Sequence, residues 1–323
     1  MLIVVSPYHL STREAPAMAA MLLASTAVTL MPGAMLNGAP DAVQEAARTR
    51  AYAELARSWS WTTSLFDAGV LRLGLDDASP LDDLRGVHES IRDDARYAAL
   101  RAFVRDDDFA CERSRLGAIS RDILRAGPNP GLSVPVAAAL DRFALRAGAF
   151  IARSPAASVA QRQEERLARP LGTVALPVLV QATGERVLHA REVLAGALEP
   201  LRRLFDSAHA RDEQPLDARV LSEAASGYAA SFERLRGAVL EDARGDDVRC
   251  IESVAVISLV RLPADAALAS SVRAMAVLGG GASPDADEPE RGPSAPGLVR
   301  TPADPTRGRH VIALIVKTLG ARG

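Results

Sequence analysis

The chain has 323 residues, with 38 basic and 40 acidic side chains for a formal charge of −2, and 48% of its residues are hydrophobic. That balance excludes a protein drawn to nucleic acid or anionic lipid by a global basic field, and equally a wholly disordered, fibrous or disulfide-stapled chain. The length suits one large domain or two ordinary ones.

Lys317 is the only lysine among the 38 cations. Arginine suits phosphate and carboxylate recognition, but where nearly every cation is arginine only position can single one out. Cys111 and Cys250 stand far apart, outside any C-x-x-C or Cys/His cluster, and are read as small buried hydrophobes of a reducing compartment. The opening MLIVVSPYHLSTRE lacks the positive start of a secretory signal and is read as strand and loop. The longest apolar run, Ala15–Ala24, contains Pro16 and has half of the ~20 residues a membrane crossing takes. A cytoplasmic protein with no membrane and no nucleic-acid partner is expected.

In chain order, Leu2–Val5 is a short, β-branched apolar run and reads as a buried strand. Ser11 with Glu14 three residues on has the form of a capping box, predicting a helix over 12–23. Ala27–Met31, closed by Pro32-Gly33, reads as a second strand, and strand–helix–strand with short connections predicts a right-handed parallel crossover. From 40 to 169 the pattern is helical: about 41–59, 81–92, 95–104, 109–125, 136–152 and 158–168. Gly127-Pro128-Asn129-Pro130-Gly131 breaks it, and Ser133 is the expected cap of the helix that follows. Thr173–Gln181 returns to strand character, with Pro177 demoting it to an edge, a bulge or two short pieces.

Two long amphipathic helices follow at about 185–208 and 217–241, an αα-hairpin in form. Leu194, Leu198, Leu201 and Phe205 stripe one, and Leu221, Ala225, Tyr228, Phe232, Leu235 and Val239 the other. A strand within 248–262 and a helix from about Asp265 to Leu278 come next. Residues 279–309 hold six prolines and six glycines and no aromatic residue, the composition of a disordered loop. His310–Leu319 is the most strand-like run in the chain and is expected to dock back into the sheet. The fold expected is α/β, with helix-rich α+β as the alternative. Residues 1–39 and 170–323 would form a small mixed sheet from both chain ends under helices, and 40–169 a helical insertion or subdomain.

The loop after the first strand is the candidate site. Ligands of open parallel α/β sheets bind outside the carboxyl ends of strands, beside helix N-termini whose free amides favour anions. His9 and Arg13 are the candidate catalytic pair, His9 giving or taking a proton and Arg13 clamping an anion. Ser6, Tyr8, Ser11 and Thr12 would line the site, joined by Arg261 and Asp265 from another strand end. The plainer reading is a helix cap with Glu14 spent on the capping box. No glycine-rich nucleotide fingerprint, G-x-S-x-G or H-E-x-x-H occurs, so no cofactor is implied.

Other features read as structural. His88-Glu89 lies on a solvated acidic face, and His189 with Glu192 has the i, i+3 spacing of a carboxylate-bridged metal motif but only Glu223 and Glu233 as partners. The Asp pairs and triplet at 76–77, 82–83, 106–108 and 246–247 suit caps and turns. Trp59 and Trp61 read as core anchors.

Two functions are weighed. In one, the protein binds a small phosphate- or carboxylate-bearing ligand at the first strand's end, with catalysis open to it. In the other, it is an assembly subunit meeting protein partners through the αα-hairpin and the 279–309 segment. Convergence separates them: a site gathers His9 and Arg13 with polar groups from other strand ends, whereas a scaffold exposes an apolar stripe on the hairpin.

Overall fold

A computed structural model describes residues 1–31, 41–75, 78–125, 127, 129–156, 159–210, 214–240, 251–278 and 310–321. The 279–309 segment lies outside the described residues. The elements are β1 (Leu2–Val5), α1 (Pro7–Ser11), α2 (Ala15–Leu23), β2 (Thr26–Val28), α3 (Asp41–Ala47), α4 (Arg50–Ser58), a 3₁₀ turn at Ser60–Thr62, α5 (Thr63–Asp67) and β3 (Leu71–Arg72). Then come α6 (Pro80–Asp93), α7 (Ala98–Arg101), α8 (Asp106–Phe109), α9 (Glu112–Ile123), α10 (Pro130–Ala147), β4 (Phe150–Arg153) and α11 (Val159–Glu165). The last are β5 (Arg169–Val180), α12 (Gly184–Val193), α13 (Ala195–Ala210), α14 (Ala218–Leu240), β6 (Ile251–Pro263), α15 (Ala266–Leu278) and β7 (His310–Ala321).

The fold is helix-rich α/β around one seven-stranded mixed sheet of order β3-β2-β1-β4-β7-β6-β5. β1, β2, β3, β4 and β7 are parallel, and β6 runs antiparallel to both β5 and β7. β5 therefore points the same way as β1. Both chain ends supply strands, as expected, and β7 docks between β4 and β6. The chain places β2 on one side of β1 and β4 on the other, so its direction of winding reverses there, at the point where open α/β sheets carry their crevice.

Successive strand residues face opposite sides of a sheet. Ile3, Val4 and Val5 are all fully buried, so helices cover both faces. α2 lies across β1, β4, β5 and β7 on one side, and α10 packs on β1, β4 and β7 from the other. Every residue from Pro16 to Ala24 is buried, consistent with a helix apolar on all sides. α12 packs over α2, α13 against α14, and α14 on β5. Leu198, Leu201, Phe205, Leu221, Ala225, Tyr228 and Phe232 are all buried, so these residues of the αα-hairpin stripes are consumed within the chain, while the side chains of Leu235 and Val239 lie outside those described. Its first helix is broken at Leu194 into α12 and α13.

Several local expectations are corrected. The capping box fails because Pro7 starts α1 five residues earlier, with Ser6 as its cap, and Arg13 at φ 49° breaks the chain before α2. The helix expected over 41–59 divides where Thr49 accepts from the amide of Tyr52 and caps α4. Asn129, not Ser133, caps α10, and Pro135 sits inside that helix. The largest correction is β4. Residues 150–152 were expected to finish a helix, but Gly148 at φ 61° ends α10 and Phe150–Arg153 enters the centre of the sheet. A four-residue apolar run has no period that tells helix from buried strand. With β3 it makes the 40–169 segment a contributor to the main sheet.

A buried helix must find partners for its last carbonyls. Two arginines supply them for α2. Arg191 of α12 donates to the carbonyls of Met21 (2.6 Å), Leu22 (3.3 Å), Ala24 and Ser25 (3.2 Å). Arg202 of α13 donates to those of Leu23 (2.7 Å) and Ala24 (3.3 Å). Both forks stand at the negative end of the helix dipole. Burial first, then the neighbouring Arg202, lowers Arg191 to about 10, so it stays charged at neutral pH. Replacing Arg191 with Met strips acceptors already closed off from water, and a loss of about 1–3 kcal/mol is expected. Urea unfolding measures it, and Arg191→Met/Arg202→Met should lose more than the sum of the single losses, since either arginine alone still serves Ala24 and only the double variant strands that carbonyl.

Candidate functional site

The site grows from the two-step start of the chain. Ser6 leaves β1 and accepts the amide of Tyr8 at 3.3 Å, and Pro7 sets the first turn of α1. Tyr8 anchors that turn: its hydroxyl donates to Asp122 Oδ2 at 2.6 Å, while Oδ1 of the same carboxylate accepts the amide of Asn129 at 2.8 Å. Burial, and then the Asp122 carboxylate, push the Tyr8 phenol well above its ordinary range. It is therefore a fixed donor and not a titrating group.

With α1 held, His9 faces Glu14. Nδ1 lies 2.7 Å from Glu14 Oε2, which also accepts from Ser154 Oγ at 2.8 Å, and Oε1 accepts from Thr12 Oγ1 at 2.8 Å. The hydrogen bond from His9 leads the causes that hold the Glu14 carboxyl down at about 2. An ionised carboxylate only accepts, so the imidazole proton sits on Nδ1 and neutral His9 presents Nε2 as a bare acceptor. Among the described residues Nε2 makes no hydrogen bond. Ser154 follows β4 directly, so this dyad joins the carboxyl ends of β1 and β4, where the winding reverses.

Arg13 turns the other way. Its Nη1 donates to the carbonyl of Gln181 at 3.3 Å, and its guanidinium stands 5.5 Å from the ring centre of Trp61. Gln181, just past β5, has φ 56° and Arg13 has φ 49°, and they are the two non-glycine residues in the left-handed region among those described. Each such residue costs about 1–2 kcal/mol, and strain of this kind gathers at functional sites. The two strained residues touch each other.

Arg261 and Asp265 do not join this group. Arg261 pairs with Ile312, which pairs with Phe150, which pairs with Ile3. Its strand ends on the opposite edge of the sheet because β6 runs antiparallel, and three strand spacings, about 14 Å, separate it from β1. Arg261 donates there to the carbonyl of Ala208, and Asp265 accepts the amide of Ala269 at the start of α15. The convergence expected of them is overturned by strand direction. Ser11 ends α1 half-buried, and Thr12 is exposed.

Ser154, Gln181 and Trp61 were missed as partners. Ser154 would have been found had Phe150–Arg153 been recognised as a strand, and Gln181 is the last residue of a run already read as one. Two grooves lie elsewhere: about 580 Å³ along β5 and α14, lined by residues such as Leu171, Val174, Leu216 and Ala225, and about 340 Å³ between α13 and α14. Neither is lined by His9 or Arg13. Among the described residues no three His, Cys, Asp or Glu side chains gather as a metal site, and no described helix is long and apolar enough to cross a membrane. No family model, curated protein or solved structure matches the chain.

Two outcomes follow. Glu14 titrates near 2 in the fold against an ordinary value near 4.5, so its contribution is complete above pH 4.5 and is lost as pH falls toward 2. Melting temperature against pH should therefore fall less steeply between 4.5 and 2 in Glu14→Gln than in the parent chain. Gln181→Gly should raise stability by about 0.5 kcal/mol or more, since glycine occupies a positive φ without the Cβ penalty. Chemical denaturation reads that gain.

Proposed function

We propose that the chain binds a small anionic ligand, bearing a phosphate or a carboxylate, over the carboxyl ends of β1 and β4, and that His9 accepts a proton from it. The observation that carries this reading is the His9–Glu14 pair: a carboxylate on Nδ1 fixes the ring and its tautomer and leaves Nε2 free as a base. Ser154 and Thr12 hold that carboxylate from two other directions. Arg13, on the residue before Glu14, supplies the cation. Its bond to Gln181 is long for a charged donor, so an anion is the stronger partner. Tyr8 and Asp122 keep α1 in place.

The same reading puts the protein in the cytoplasm, a reducing compartment in which Cys111, exposed, stays a free thiol. A role as an assembly subunit has less behind it, because the described residues of the hairpin stripes that would meet a partner are buried where α13 packs on α14 and α14 on β5.

A ligand that binds only the folded state raises the melting temperature. A thermal-shift screen against sugar phosphates, nucleotides and dicarboxylates should show a rise in the parent chain that is lost in His9→Ala/Arg13→Ala. A flat screen on well-folded protein would remove the proposal.

A further inference from the structure

β5 is an edge strand of the sheet, and its outer edge is only partly closed. Pro177 has no N–H, so it cannot exchange a pair of hydrogen bonds with Val254, its partner on β6. Its carbonyl turns away from β6 and accepts the Tyr228 hydroxyl of α14 at 2.9 Å. The β5–β6 register is unbroken from Gly172 to Val180, and outward groups recur at every second residue of an antiparallel strand. Thr173 and Ala175 therefore direct both N–H and C=O outward as well. Both residues are exposed, and among the described residues nothing meets these outward groups. On their other side the edge closes again, where the Leu171 carbonyl accepts the amide of Leu216 at 2.7 Å.

Beside this open stretch runs the groove of about 580 Å³ between β5 and α14. Val174, Leu216 and Leu221 give it apolar walls, and no charged side chain lines it. Where α14 borders it the residues are small, among them Ala218, Ser222 and Ser226, which leaves room for a further backbone. Two outward N–H and two outward C=O groups, two residues apart, match the main chain of an extended peptide, whose alternate side chains then enter the groove. The uncharged lining requires those side chains to be apolar. A second copy of this chain fits less well, because its β5 has 12 residues. Between the closures at Leu171 and Pro177 lie about 20 Å, room for about six residues of strand. We infer that the β5–α14 groove binds a short extended peptide with alternating apolar side chains, added as a further strand at Thr173–Ala175. Neither His9 nor Arg13 lines this groove, so it does not depend on the proposed anion site.

Fluorescence anisotropy on the full chain tests this with a fluorescein-labelled, end-blocked hexapeptide of alternating valine and threonine. The parent should bind it saturably, and the same peptide N-methylated at every amide should not compete. Ala175→Pro removes one outward N–H and, like Pro177, no bond to β6. It should keep the parent's melting behaviour and bind the peptide about tenfold more weakly. Ser222→Trp fills the groove from an exposed position of α14. It should weaken binding by a similar factor, and it decides the matter alone if the proline variant does not fold. Hydrogen exchange should show the Thr173 and Ala175 amides protected once peptide is bound. Absence of saturable binding in the parent overturns the inference, as does parental affinity in both folded variants. A dimer of the parent that is lost in Ala175→Pro would give the groove to a second copy and overturn it equally.

Discussion

The structure turns on the closure of one buried helix. α2 carries no charge and has water on neither side, so its final carbonyls need donors brought to them. Arg191 and Arg202 do this from two different helices, each spanning several acceptors with one planar fork. Arginine is suited to the task because its five donors are rigidly arranged and stay charged when half-buried. The same contacts hold α12 and α13 on the outer side of α2, and with them the hairpin whose apolar stripes complete that layer.

The opposite end of α2 inherits the result. Glu14 and Arg13 stand at its start. Fixing α12 along α2 also fixes Gly184 and Gln181 beside Arg13, while β4, inserted next to β1, brings Ser154 to Glu14. The candidate site is thus assembled from the carboxyl ends of β1, β4 and β5, although three other strand positions separate β1 from the edge strand. The left-handed backbone at Arg13 and Gln181 is tolerated because both neighbours are pinned, Glu14 through its hydrogen bonds and α12 through its packing on α2 and α5. Strain survives only where the surroundings over-determine it.

The sequence by itself determined the elements whose cause is local. The β-branched run at Leu2–Val5, the breaking power of Pro128 and Pro130, the exclusion of the Pro177 run from an unbroken central strand and the paired stripes of the hairpin need no partner to be read, because propensity, missing amides and helical periodicity act within a few residues. His9 and Arg13 could be singled out as candidates for the same reason, since ligands of open parallel sheets bind at the carboxyl ends of strands. Tertiary structure alone decided whether Phe150–Arg153 was helix or strand, because a short apolar run takes the form its neighbours leave open. It also decided that Glu14 serves His9 and not a capping box, and that Arg261 and Asp265 stand at the far edge. Strand direction and long-range hydrogen bonds are set by which surfaces find one another, and that information lies in no single stretch of the chain.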